Sequence, residues 1–114
     1  MPVRFLISTL KPGVDPAAYE RWVRERDYEL VRTLPNYISY KVHRIKPPIQ
    51  GADSCGWQYI ERIEVKSLEQ HDRDLASPVG VALRDELYGK FLDRAKNIYF
   101  VAETIELASR SREE

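Results

Sequence analysis

Few side chains in this sequence are suited to moving protons, and two of them stand where a charge is costly. Asp27 falls four residues after Val23 and four before Val31, inside the apolar arc of a helical stretch that Arg26 also interrupts. A carboxylate there is held in a structural ion pair, reaches solvent at a sheet edge, or is desolvated so that its pKa rises and it works as a general acid or base. Glu61 shares a strand face with Tyr59 in WQYIERIEV, and Tyr99 shares one with Glu103 in IYFVAETI. On neighbouring strands, these phenols and carboxylates would line one pocket, stacking on a flat aromatic molecule and exchanging protons with it. The competing reading is an aromatic core with carboxylates at its rim. His43 brings an imidazole, the side-chain type suited to proton transfer, to a strand face shared with Ser39 and Lys41, so it is either a third acid-base candidate or an exposed, structural histidine. His71 lies on a stripe with Leu68 and Leu75 and reads as packing, and Cys55, beside Gly56, has no basic neighbour to activate its thiol.

Several chemistries lack a motif: there is no glycine-rich phosphate loop, no nucleophile elbow and no paired metal-ligand histidines. A lone cysteine and two histidines give no zinc spacing and no internal disulfide. No cofactor and no metal are expected. The 18 basic and 18 acidic side chains balance, which supplies no attraction to nucleic acid or an anionic membrane. No apolar run approaches a membrane span of roughly 20 residues, and the opening MPVRFLISTLKPG is too short and interrupted for a secretory signal, so a cytoplasmic location is expected.

The elements that must position the candidates follow from pattern. With 114 residues, 43% of them hydrophobic, the chain has room for one core. Residues 1–108 are expected to form one domain and residues 109–114 a frayed charged tail. Val3 to Leu10 reads as a strand stopped by Lys11-Pro12-Gly13. Asp15-Pro16 caps and starts a helix whose apolar stripe is Tyr19, Trp22, Val23, Leu30, Val31 and Leu34, ended by Pro35. Ile38 to Ile45 alternates as a second strand, with Ile38, Tyr40 and Val42 opposite Ser39, Lys41 and His43. A loop from Lys46 to Gly56 is either a lid or a plain connector. Trp57 to Val65 is a third strand with no clean face. Ser67 with Gln70 and Ser77 with Pro78 open two helices that form one broken crossover, and Ile98 to Ile105 is the fourth strand.

The order β-α-β-β-α-β predicts an α+β, ferredoxin-like fold: a four-stranded antiparallel sheet with both crossovers on one face. The strands carry apolar residues on both sides, so the uncovered face predicts a homodimer with the two sheets packed together as a dimeric α/β barrel and the site between them.

The strand-helix opening VRFLISTLKPGVDPAAYERW, the helix end ERDYELVRTLPNY, the segments QYIERIEV and SLEQHDRDLASP, and the closing FVAETI resemble the dimeric α/β-barrel superfamily, and within it the REDY-like HapK family. That resemblance covers nearly the whole chain. It implies a small cofactor-independent enzyme of secondary metabolism that cyclises or dehydrates a pyrrole, indole or polyketide-like intermediate, with Glu61 and Asp27 as acid-base groups and Tyr59 and Trp22 giving the pocket its shape. The related EthD-type pattern has a histidine near the end of the first helix, and by spacing from Leu34-Pro35 it falls on Asp27, a carboxylate here. Two alternatives stay open. One is a cofactor-free monooxygenase resting on Trp22, Tyr59 and His43; the other is a binding protein for an unstable intermediate. A haem-acting protein has less behind it, since neither histidine has the setting of an axial ligand.

Overall fold

In the computed structural model, which describes residues 1–48 and 55–106, the four strands β1 (Val3–Ser8), β2 (Tyr37–Arg44), β3 (Tyr59–Val65) and β4 (Ile98–Ala102) form one antiparallel sheet in the order β2-β3-β1-β4. Between β1 and β2 run α1 (Pro16–Trp22), a π-helical segment Val23–Asp27, and α2 (Tyr28–Val31); between β3 and β4 run α3 (Leu68–Ala76), α4 (Pro78–Lys90) and a 3-10 turn, Arg94–Lys96. This is the ferredoxin-like order. The expected tail, and residues 49–54 of the expected loop, lie outside the described residues.

The helix starts follow their capping residues. Asp15 accepts from Ala17 N at 3.0 Å with Pro16 in the first turn, Ser67 accepts from Gln70 N at 3.1 Å, and Ser77 accepts from Gly80 N at 3.2 Å. The first helix departs from expectation in its middle. Tyr19, Val23, Asp27 and Val31 are all buried, a strict step of four. On a regular α-helix of 3.6 residues per turn that stripe would drift around the axis. The π turn, in which Tyr28 N donates to Val23 O, takes more residues per turn and keeps the four side chains on one line.

Two further corrections concern the sheet. A bulge between Tyr37 and Ser39 leaves Ile38 unpaired and 45% exposed, so Tyr37, and not Ile38, joins Tyr40 and Val42 on the helix side. Strands β3 and β4 are not neighbours, because β1 lies between them with Leu6 opposite both Glu61 and Tyr99. Alternation in β3 is clean: Tyr59, Glu61, Ile63 and Val65 are buried and the residues between them half-buried. Its apparent irregularity was a carboxylate placed in the interior. The core joins Leu6, Leu10, Tyr19, Val23, Tyr59, Leu87 and Leu92 between sheet and helices.

Candidate active site

Between the helix layer and the sheet of a single chain lies a cavity of about 290 Å³. The sequence placed the site between two sheets; the structure brings Asp27 and Glu61 together on the other side of the sheet, under the helices. The π turn delivers Asp27 to the cavity, and β3 delivers Glu61 from the same face as its core residues. Apolar walls come from Leu6, Val31, Ile63 and Leu87, aromatic ones from Trp22, Tyr37, Tyr40, Tyr88 and Tyr99.

Tyr40 organises the pair. Its hydroxyl oxygen lies 2.6 Å from Asp27 Oδ2 and 2.9 Å from Glu61 Oε1. A phenol has one hydrogen and can donate to only one of the two carboxyls, so the other contact needs a proton on the carboxyl itself. Both acids are only 4% exposed, and among the described residues neither has an ion-pair partner. Burial pushes Asp27 up to about 6, opposed by its hydrogen bond from Tyr40. Burial, with the Asp27 charge added to it, pushes Glu61 up to about 8, again opposed by the Tyr40 contact. With both acids pushed up by burial, the pair shares one proton near neutral pH: the protonated carboxyl donates to Tyr40 Oη, and Tyr40 donates to the ionised one. Glu61 Oε2 is buried with no hydrogen-bond partner among the described residues. The cavity thus presents an acid and a base within one hydrogen-bonded chain. Among the described residues there is no group of three or more His, Cys, Asp or Glu side chains placed to hold a metal ion.

The model of the family described as REDY-like protein HapK matches residues 2–105. The chain belongs to the REDY-like HapK family. Among solved structures it is similar to HapK from Hahella chejuensis, with 19% identity, 94% of this chain and 95% of that one covered, and a TM-score of 0.73. It is similar to a dabb family protein with a ferredoxin-like fold from Mesorhizobium loti (11% identity, 92% and 97% covered, TM-score 0.70). The hydroxynitrile lyase of Passiflora edulis also matches (12% identity, 93% and 94% covered, TM-score 0.74). At these identities the likeness establishes the fold. No curated protein matches the chain.

Within this HapK-family cavity the other expected residues divide. Trp22 lines it, its Nε1 donating to Glu86 Oε1 at 2.9 Å, and Tyr99 lines it from β4. Arg26, the other charge expected to interrupt the apolar arc of the first helix, is taken up by Glu86, its Nη2 donating to Oε2 at 2.6 Å, and so does not neutralise Asp27. Tyr59 is packed in the core and faces a different hollow; its hydroxyl donates to Glu20 Oε2 at 2.6 Å, and Glu20 also binds Arg44. His43 is exposed and pairs with Ile60, on the sheet face away from the carboxyls. Glu103 is exposed beyond the end of β4, at a surface hollow with Met1 and Val101. Tyr40 is the member that the sequence reading missed. Its alternation with Val42 marked it as inward-facing, but its place beside Glu61 depends on the register that sets Val42 opposite Glu61.

Proposed function

We propose that this HapK-family protein is a small cofactor-independent enzyme of natural-product biosynthesis. Its reaction is the cyclisation or dehydration of an aromatic, pyrrole, indole or polyketide-like intermediate by general acid-base catalysis. The observation that carries the reading is the Asp27–Tyr40–Glu61 chain: two buried carboxyls with no ion-pair partner among the described residues, joined through one phenol in an aromatic cavity. Such a pair keeps one carboxyl protonated and the other ionised at the same pH, as dehydration requires: Asp27 takes a proton from carbon while Glu61 gives one to the departing hydroxyl. The cavity volume, at the lower end of the range for ligand sites, suits a small aromatic molecule. One structural neighbour is named as a lyase, so the fold accommodates that class of reaction. Of the residues on which the monooxygenase alternative rests, only Trp22 lines the cavity.

The test is turnover of a panel of aromatic and polyketide-like intermediates by the wild type, Glu61→Gln and Asp27→Asn. Each substitution is expected to lower kcat by about a hundredfold or more, the usual contribution of a positioned acid or base. Unchanged turnover in both variants would remove the acid-base assignment. Oxygen uptake coupled to product would move the protein to the monooxygenase reading, and saturable binding without product to a carrier role. The same reading includes a homodimer through the open sheet face.

A further inference from the structure

His71, expected to be a packing residue, is fully buried and makes two directional contacts. Arg4 Nη1 donates to its Nδ1 at 2.8 Å and, from the same nitrogen, to Asp72 Oδ1 at 2.8 Å. An arginine has no acceptor, so Nδ1 must be the bare nitrogen and Nε2 must carry the hydrogen. The Nε2 atom lies 2.9 Å from Tyr37 Oη and therefore donates to it. Tyr37 Oη is thereby an acceptor toward His71, and its own O–H is left to point elsewhere. Among the described residues that hydrogen has no acceptor, and Tyr37 lines the cavity with its ring 5.9 Å from that of Tyr40. Burial and the Arg4 charge both lower the pKa of His71, in keeping with a neutral ring in this tautomer.

We infer that the Tyr37 hydroxyl, polarised by the Asp72–Arg4–His71 chain, is the hydrogen-bond donor that binds a ligand's carbonyl oxygen beside the Asp27–Tyr40–Glu61 pair. The substrate class is accordingly a ring ketone or aldehyde with an acidic C–H next to its carbonyl. This deepens the proposed function and rests on it for the chemical step. When that C–H bond breaks, its proton goes to the Asp27 carboxylate and its electron pair becomes the C=C bond. The carbonyl π pair moves to oxygen, and the Tyr37 O–H holds the resulting oxyanion. Arg4 donates to His71 and His71 to Tyr37, so positive charge is relayed toward that hydroxyl although Arg4 itself does not line the cavity. His71 is a positioning residue here, and Tyr37 is the group that touches the ligand.

The experiment compares two probes of one shape, indanone and indane, which differ by the carbonyl alone. Binding to the whole protein is followed by calorimetry, and the carbonyl stretch of bound indanone by infrared difference spectroscopy. The wild type is expected to prefer indanone and to shift its carbonyl band to lower frequency, an observation that needs no variant. Tyr37→Phe is expected to weaken indanone by about three- to tenfold, to leave indane within about twofold, and to abolish the band shift. His71→Gln, which can still accept from Arg4 and donate to Tyr37, should keep more of the band shift than His71→Leu. Glu61→Gln should lose turnover while keeping the preference for indanone, so failure of the acid-base reading and failure of this one give different results. Equal affinity for the two probes, no binding of either, or a preference for indanone that survives Tyr37→Phe would overturn the inference.

Discussion

The two buried carboxyls make opposite demands on pH from those of surface ion pairs. Glu61 rises from 4.5 unfolded to about 8 folded, and Asp27 from 3.8 to about 6. For each, the folded state binds more protons than the unfolded state between those values, so stability falls as pH rises through that window. Their contribution is fully present below about pH 4 and is lost by about pH 8, when Glu61 must ionise out of water. Glu61→Gln cannot ionise. Its unfolding free energy should therefore be flatter between pH 5 and 8 than the wild type's and should exceed it above pH 8 by a few kcal/mol, the size of a shift of this order. Urea titrations at pH 5, 7 and 9 measure this, and a wild-type stability that rises from pH 5 to 9 with no crossing would show that Glu61 is ionised in the folded state. Glu20 behaves in the reverse sense. Its hydrogen bonds from Arg44 and Tyr59 hold it down at about 2, so its contribution is present above about pH 4.5 and lost as pH falls toward 2.

At the scale of elements, the break between α3 and α4 is tightly packed around Gly80. A Cβ added to Gly80 would overlap the backbone oxygen of Asp74 and lie 2.8 Å from that of Leu75, and those oxygens belong to a helix end that cannot retreat freely. Gly80→Ala should cost about 1–3 kcal/mol, the usual cost of overpacking, seen as a lower midpoint in thermal or urea unfolding. Gly89→Ala, in the same helix but with open space around it, should be neutral or slightly stabilising. The elements themselves were legible because their signals are local: Asp15-Pro16, Ser67 with Gln70 and Ser77-Pro78 each fix a helix start within three residues. The site was legible only in part, because its geometry is set by pairing across strands. Asp27 and Glu61 stood out as charges in apolar patterns. The bulge at Ile38, by contrast, has no composition signal in YISYKV, and it is the bulge that turns Tyr37 inward to meet His71. The position of β1 between β3 and β4 likewise separated Tyr59 from Tyr99, which pattern alone had set side by side.

At the scale of the molecule, one face of the sheet has no helix packed over it among the described residues. The helices cover the side that carries Leu6, Glu61 and Tyr40, and the register places Phe5, Ile7, Ile60, Ile98 and Phe100 together on the other. Phe5 and Phe100 stack there with ring centres 5.7 Å apart, and Ile98 and Phe100 are each 40% exposed. The same face carries Arg62 and Glu64 on β3 and Lys41 and His43 on β2, so its apolar part lies over β1, β4 and Ile60. That part is expected to be buried by association, and a second copy of the chain offers the same surface in closed two-fold symmetry. We therefore propose that the protein is a homodimer through this face. The cavity, on the helix side, belongs to each subunit separately, which makes assembly and chemistry separable. Phe100→Asp puts a charge at the centre of the contact without touching the Asp27–Tyr40–Glu61 chain. Sedimentation velocity should show the wild type as a dimer at micromolar concentration and the variant shifted toward monomer, with the cavity still binding its ligand. A wild type that sediments as a monomer would remove the second copy as the cover of this face. A variant that loses ligand binding along with its partner would show that the cavity needs the neighbouring subunit to hold its shape.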